Sequence, residues 1–138
     1  MNWRLEGLEC QALLLDCTPS LLFAGPGYEA EAARICAAVN IQLICLADLS
    51  DRLKSRKGLL ARESGGKPTD PVLLCYTSGA TGRPKGVVLD QKALEVNARN
   101  SVHMHAMTPK DVVLTTLPMF HVGGLNIQTT AAFSVGAT

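Results

Sequence analysis

Apolar residues in two stretches of the chain recur at the spacing of one helix face. In the first stretch they stand three and four positions apart, and the stretch ends near Cys17, just before Thr18-Pro19. These residues are Leu5, Leu8, Ala12 and Leu15. Such spacing predicts an amphipathic helix, and the proline that follows marks its end. The same reasoning predicts a helix over residues 29–39, and further helices are predicted from 91 to about 107 and over 124–133.

Short apolar runs lie between these helices and are typical of buried strands. The runs cover residues 20–24, 41–47, 72–76, 86–89 and 112–117. Asp90 follows the fourth run and is placed to cap the helix that begins near Gln91. Because buried strands alternate with helices, the order predicts an α/β fold with a mostly parallel sheet and flanking helices.

Residues 48–70 break this pattern. Basic residues come first, and the segment then reads Glu63-Ser-Gly-Gly-Lys-Pro68. Clusters of glycine, proline and charge between periodic segments are typical of loops. We therefore expect an exposed loop or linker here, within a domain or part of a domain that covers residues 1–138.

The composition is that of a chain with a hydrophobic core. Hydrophobic residues make up 47% of the 138 residues and charged residues 18%. A net charge of +1 offers no clustered basic excess, which argues against a nucleic-acid partner. Neither a signal peptide nor a membrane-spanning run is visible, and none of the five cysteines forms a C-x-x-C pair. These features predict a cytoplasmic protein with reduced thiols and no membrane span.

The segment from Tyr76 to Val87 reads Y-T-S-G-A-T-G-R-P-K-G-V and combines hydroxyls, glycines, one proline and one lysine. A loop of this kind offers bare backbone N–H groups, hydroxyl donors and a mobile cation, which are the parts needed to hold a polyphosphate. The segment therefore indicates a nucleotide-handling enzyme.

Three other kinds of loop could contain such a glycine-rich segment. The NTPase pattern G-x-x-x-x-G-K-[ST] fails because Pro84 stands five residues after Gly79 and Lys85 is followed by Gly86. A dinucleotide-binding turn lacks the helix that should receive the pyrophosphate, because an apolar strand-like run follows instead. A plain β-hairpin connection is the third interpretation, although a turn needs neither the lysine nor so many hydroxyls.

The same dozen residues resemble the phosphate-loop signature of the adenylate-forming (AMP-binding) enzymes, in which only Ala80 departs from the usual hydroxyl. A second segment, Leu117-Pro-Met-Phe-His-Val-Gly-Gly-Leu125, resembles the family's next landmark, about thirty residues beyond the lysine. Asn2-Trp-Arg-Leu5 is similar to a common stretch of acyl-CoA synthetases. The resemblance thus covers nearly the whole chain and is greatest to an acyl-CoA synthetase, or fatty-acid–CoA ligase.

The resemblance implies a two-step reaction. A carboxylic acid, expected to be a fatty acid, is activated by ATP to an acyl-adenylate, and coenzyme A then forms the thioester. Lys85 and His121 are the expected catalytic residues, and Thr77 is the expected protein ligand of Mg²⁺. The expected phosphate-binding residues are Thr77, Ser78, Gly79, Ala80, Thr81, Gly82, Lys85 and Gly86. Alternatives are an aryl- or amino-acid-activating ligase, or a non-catalytic nucleotide-binding fragment.

Family members are several times longer, so the resemblance also implies a fragment of the large N-terminal domain. The remainder of the parent enzyme would complete the fold, and the isolated chain is expected to be inactive and prone to self-association. The acidic partner for the metal is not visible in these residues. His103 and His105 form an H-x-H pair without further metal ligands, and we interpret both as structural or surface residues.

Overall fold

The computed structural model describes residues 1–55, 66–77 and 84–138 of the chain. Two compact units are present. The N-terminal unit is Trp3–Glu63, and the C-terminal unit comprises Met1–Asn2 and Ser64–Thr138. None of the helices in the described ranges is long and apolar enough to cross a membrane.

Two helices and a parallel strand pair form the first part of the N-terminal unit. The elements are α1 (Gly7–Cys17), β1 (Leu21–Ala24), α2 (Glu29–Val39) and β2 (Gln42–Cys45). The register runs from Leu21 opposite Gln42 to Ala24 opposite Cys45. The helix predicted over residues 29–39 is confirmed, and its apolar positions Ala32, Ile35 and Cys36 are buried as that spacing indicates.

The predicted apolar face of α1 is wrong. Leu8 and Leu15 are 78% and 63% exposed, whereas Cys10 and Leu14 are buried and pack with Ile35 of α2. Residues two apart on a helix point to opposite sides, so the buried row through Cys10 lies across from the row through Leu8. The helix is apolar on both sides, and its packing against α2, which the spacing alone does not show, decides which side is buried.

A helix also occupies the start of the segment predicted to be a loop. This helix, α3 (Leu46–Ser55), begins directly after β2. Its leucines at 46, 49 and 53 follow helical spacing, and Asp48 lies in the first turn, where a carboxylate stabilises the helix dipole. Leu46 and Leu53 are 43% and 54% exposed, so the segment is helical although it lies at the surface.

The C-terminal unit begins with an antiparallel strand pair. β3 (Pro71–Thr77) and β4 (Lys85–Asp90) pair from Pro71 opposite Asp90 to Thr77 opposite Lys85. The α/β class is confirmed, but the parallel arrangement applies to β1–β2 and not to this pair. The connection over residues 78–84 explains the difference, because parallel neighbours need a crossover of a dozen residues or more.

Helix α4 (Gln91–His105) follows β4 and has the predicted cap. The carboxylate of Asp90 accepts a hydrogen bond from the backbone N–H of Ala93 at 2.7 Å. His103 and His105 lie in the last turn of α4 and are exposed. Among the described residues, no cluster of three or more possible metal ligands is present.

The strand predicted over residues 112–117 is absent. Within the described ranges, backbone hydrogen bonds join this stretch to the chain end, with Val113 N–H donating to Thr138 O (2.6 Å) and Thr138 N–H donating to Asp111 O (3.0 Å). Val112 and Leu114 are 82% and 81% exposed. An apolar run becomes a strand only when a neighbouring strand accepts its backbone hydrogen bonds, and the described part of the unit supplies none beside it.

Helical structure near the chain end agrees with the prediction over 124–133 but contains a wider turn. It consists of α5 (Val122–Gly124), a π-helical turn (Leu125–Thr129) and α6 (Thr130–Val135). α6 ends at Gly136, which has a positive φ of 76°. We call the whole span from Val122 to Val135 the C-terminal helix.

Candidate functional site

The glycine-rich loop begins and ends at the same point of the β3–β4 pair. Thr77 is the last residue of β3, Lys85 is the first of β4, and the two are register partners. Side chains directly opposite each other in an antiparallel pair lie on the same face. The structure therefore brings the Thr77 hydroxyl and the Lys85 side chain together at the base of the loop.

Both residues at the loop base are exposed. The Thr77 hydroxyl donates a hydrogen bond to the Lys85 carbonyl oxygen at 3.4 Å, which leaves the lone pairs of the hydroxyl available to a ligand. An exposed lysine on a strand end provides a cation that can reach an anion held by the loop. The predicted phosphate contacts Ser78, Gly79, Ala80, Thr81 and Gly82 lie outside the described residues.

Gly86 is part of the strand pair next to the loop base. It lies within β4 opposite Tyr76, and the positive-φ glycines of the described ranges are Gly27 and Gly136. A Cβ atom at Gly86 would lie 2.9 Å from Leu74 Cδ1 and 3.4 Å from the Tyr76 ring. The missing side chain therefore leaves room for a leucine and an aromatic ring of the neighbouring strand, while Gly86 itself stays exposed.

The residues present fit a magnesium ion only in part. Mg²⁺ keeps several waters and binds one or two protein oxygens together with substrate phosphates. The exposed Thr77 hydroxyl is one such oxygen, beside the lysine that would face the same phosphates. The described residues hold no set of carboxylates that could complete the site, so the metal would depend on the nucleotide.

His121 lies at the start of the C-terminal helix. It is exposed, and its Nδ1 accepts a hydrogen bond from the backbone N–H of Gly123 at 3.2 Å. Because Nδ1 accepts, the proton of the neutral imidazole is on Nε2. His121 thus presents a hydrogen-bond donor to the solvent side and caps the helix with its other nitrogen.

Gly123 and Gly124, which follow His121-Val122, allow the helix to pack closely on the preceding backbone. A Cβ atom at Gly124 would lie 2.2 Å from the Pro118 carbonyl oxygen and 2.5 Å from that of Leu117. The first turn of the helix therefore packs directly on the backbone that leads to His121. Only glycine permits this approach, and the adjacent glycine pair in the sequence was the available signal.

Side chains of α4 bind the π-helical turn. Asn97 Nδ2 donates to the carbonyl oxygen of Asn126 at 2.7 Å, and the Ser101 hydroxyl donates to that of Ile127. Carbonyls in a π-turn are displaced from α-helical geometry and can accept such donors. Asn97 and Ser101 are four apart on α4, so one face of this helix holds the turn that follows His121.

The described part of the C-terminal unit includes a small cavity and a larger groove. The cavity, of about 70 Å³, lies between residues 114–117 and the C-terminal helix, where Gly123, Gly124, Ile127 and Gln128 line it. The larger, open groove of about 380 Å³ is lined by residues that include Pro71 and Asp90. Pro71 and Asp90 form the end of the strand pair opposite to Thr77 and Lys85, so the larger groove lies away from the loop base.

The sequence matches proteins that join acids to coenzyme A. It is 46% identical to an indoleacetate–CoA ligase of Aromatoleum aromaticum, over 100% of this chain and 29% of the relative. It is 28% identical to a mitochondrial malonate–CoA ligase of Mus musculus, over 100% of this chain and 24% of that protein. The chain thus spans less than a third of the length of these relatives.

The fold matches solved structures of the same kind. ATP-bound MatB from Rhodopseudomonas palustris superposes with a TM-score of 0.84 at 26% identity, over 99% of this chain and 28% of the other. A malonyl-CoA ligase complex with methylmalonyl-CoA and AMP superposes with a TM-score of 0.78 at 28% identity, over 99% of this chain and 27% of the other. The family model described as AMP-binding enzyme matches residues 1–138. The chain therefore belongs to the AMP-binding enzyme family, of which it carries part of the large N-terminal domain.

Proposed function

We propose that the protein containing this chain is an AMP-forming acid–CoA ligase. A carboxylate oxygen attacks the α-phosphorus of ATP, and the bond to pyrophosphate breaks to give an acyl-adenylate. The sulfur of coenzyme A then attacks the acyl carbon, AMP leaves, and the thiol proton passes to solvent. Support comes from the relatives, which are named as CoA ligases, and from a neighbour that was solved with ATP.

The observation that carries this proposal is the pairing of Thr77 with Lys85 at the base of the glycine-rich loop. Negative charge shifts to the β- and γ-phosphates as pyrophosphate leaves, and a fixed cation next to it stabilises the transition state. In this proposal Lys85 binds those phosphates. Residues Ser78 to Gly82 supply the backbone and hydroxyl donors between the two strand ends.

A bound magnesium ion would supply positive charge that neutralises the phosphates. We assign Thr77 as its protein ligand, because its exposed hydroxyl faces the same side as Lys85. Gly86 contributes indirectly, since it lets Tyr76 pack across the strand pair and so keeps the loop base in register.

We assign His121 to the carboxylic acid. Its Nδ1 is occupied by the Gly123 N–H, so Nε2–H is the group it can offer. A neutral donor can hold the carboxylate oxygen that does not attack and can orient the other one. This assignment makes His121 a hydrogen-bond donor to substrate and not a general base.

The acid itself is the finer part of the proposal. The resemblance of the sequence favours a fatty acid, whereas the relative that matches the whole chain at 46% identity is named for indoleacetate. We therefore set an aryl acetic acid beside a fatty acid as the two substrates to compare. Coenzyme A is the proposed thiol acceptor in either case.

Replacement of Lys85 tests the function directly. In the protein at its natural length, Lys85→Met should lower acid-dependent pyrophosphate release by about 10- to 1000-fold, the scale of losing one charge-stabilising group. Lys92→Met is the matched control, because Lys92 is an exposed lysine on α4. Both variants are assayed with the fatty acid and with the aryl acetic acid, and their urea midpoints are compared.

An unchanged rate in Lys85→Met would remove this lysine from the mechanism. A wild-type protein that binds ATP in a titration but releases no pyrophosphate with any acid would support the non-catalytic alternative.

A further inference from the structure

The Thr129 side chain connects the segments on either side of His121. Thr129 lies in the π-helical turn and is only 8% exposed. Its hydroxyl donates to the Gly124 carbonyl oxygen at 2.7 Å, and it lies 2.9 Å from the Thr115 hydroxyl. Gly124 follows His121 and Thr115 precedes it, so one buried hydroxyl links both.

The single proton of the Thr129 hydroxyl decides which group donates in each of these hydrogen bonds. A threonine hydroxyl has one proton and two lone pairs. Because the proton of Thr129 goes to Gly124, the Thr115 hydroxyl must donate to Thr129. The sulfur of Met119, a residue between Thr115 and His121, lies 3.7 Å from the Thr129 hydroxyl oxygen.

His121 is held between these two anchored segments. Its N–H donates to the Pro118 carbonyl oxygen at 3.1 Å, and its own carbonyl oxygen accepts from Gly124 and Leu125, each at 3.1 Å. Gly124 in turn packs on the Leu117–Pro118 backbone. A shift of the Gly124 turn would therefore move the backbone of His121 and the Gly123 N–H that orients its ring.

We propose that Thr129 is a positioning residue for His121. Thr129 fixes the distance between Thr115 and Gly124, the two ends of the segment that contains His121. It thereby fixes the direction of the His121 Nε2–H. The role rests on the proposed function, in which this N–H orients the carboxylic acid. Thr129 does not contact ATP or acid in this proposal, so its loss should affect the acid more than the nucleotide.

Valine and serine separate the hydroxyl from the shape of the side chain. Thr129→Val keeps the volume but removes the hydrogen bonds of Thr129 to the Gly124 carbonyl and the Thr115 hydroxyl, whereas Thr129→Ser keeps the hydroxyl and loses one methyl group. Thr130→Val is the matched control, because the Thr130 hydroxyl is buried on the same helix and has no hydrogen-bond partner among the described residues.

The kinetic test uses the protein at its natural length. Thr129→Val should lower kcat/KM for the acid by about 10- to 100-fold, the scale of misplacing a reacting group by about an ångström. The KM for ATP should stay within about twofold, and Thr129→Ser and Thr130→Val should stay within about threefold of wild type. In a His121→Ala background, Thr129→Val should cost little more, because the two changes act through one group.

Nitrogen NMR of labelled histidines provides a test that needs no activity. In wild type, the nitrogen chemical shift of His121 Nδ1 should be that of a hydrogen-bond acceptor. Thr129→Val should move this chemical shift toward the values of His103 and His105, whereas Thr129→Ser should leave it unchanged. His103 and His105, on the exposed end of α4, are internal references. If wild type releases no pyrophosphate, the proposed function fails, and this spectrum still decides the role of Thr129.

Two results would overturn the proposal: an unchanged His121 spectrum in Thr129→Val, or equal losses for ATP and acid. Should Thr129→Val fail to fold, Thr115→Val removes the donor at an exposed position and must shift the His121 signal in the same direction.

Discussion

At the scale of single residues, the adjacent glycines Gly123 and Gly124 differ in what surrounds them. A Cβ atom at Gly123 would meet side-chain atoms at 3.4 Å or more, whereas one at Gly124 would meet backbone oxygens at 2.2 and 2.5 Å. Side-chain atoms can move aside by a few tenths of an ångström. The backbone of Leu117 and Pro118 is less free to move, because the Pro118 carbonyl oxygen accepts a hydrogen bond from the His121 N–H. Alanine is therefore tolerated at one position only.

Gly124→Ala should destabilise the protein by about 1–3 kcal/mol or more, the range for overpacked sites. Gly123→Ala should be neutral or stabilising by up to about 1 kcal/mol, since alanine is the better helix former. Urea midpoints of the two variants measure both effects. Equal midpoints would mean that the backbone of Leu117 and Pro118 moves to accommodate the added methyl group at no cost in stability.

At the scale of elements, α4 is the helix that supports the loop of His121. The Asp90 carboxylate caps its first turn, and Asn97 and Ser101 further along it bind the π-helical turn. Loss of the cap would loosen the helix from its first turn. The cap was predicted from local sequence alone, because it joins residues three positions apart.

Asp90→Ala should lower the free energy of unfolding by about 1 kcal/mol, the usual cost of removing an N-cap. Asp90→Asn keeps an oxygen acceptor at the same position and should lose only a fraction of this. Equilibrium unfolding in urea distinguishes the two variants. An identical loss in both would assign the effect to the negative charge and not to the hydrogen bond to Ala93.

At the scale of the whole molecule, the described ranges leave many large apolar side chains at the surface. Val112, Leu114 and Leu8 are 82%, 81% and 78% exposed, although apolar surface of this kind is usually covered. The tendency to self-associate stays a prediction. In contrast, Cys10 and Cys36 lie in the interior of the N-terminal unit, at 5% and 3% exposure.

Burial raises the pKa of the Cys10 thiol, with a further rise from the nearby carboxylates, and burial alone raises the pKa of Cys36. A raised folded-state pKa means that the unfolded thiol ionises first. The contribution of these thiols to the free energy of unfolding is therefore fully present below the ordinary thiol pKa. It is lost as the pH rises from there through the thiol pKa of the folded protein. We expect the urea midpoint to fall between about pH 7 and about pH 10, less steeply in Cys10→Ala/Cys36→Ala than in wild type. Parallel pH slopes in the two proteins would contradict this.

The amino-acid sequence by itself determined the features that arise between near neighbours. It predicted α2 at its observed bounds and the cap at Asp90, because helix spacing and caps involve residues within about four positions. It also identified the family, because that loop is a contiguous pattern.

The tertiary structure decided what depends on residues distant in the chain. The buried face of α1 required α2, and the direction of β4 required β3. Residues 112–117 would have needed a neighbouring strand, which the described ranges do not place beside them. The bonds that hold the surroundings of His121 join Asn97 to Asn126, Ser101 to Ile127 and Thr115 to Thr129, which are 29, 26 and 14 positions apart. Contacts over such separations form only when folding brings two elements together, so no local pattern could reveal them.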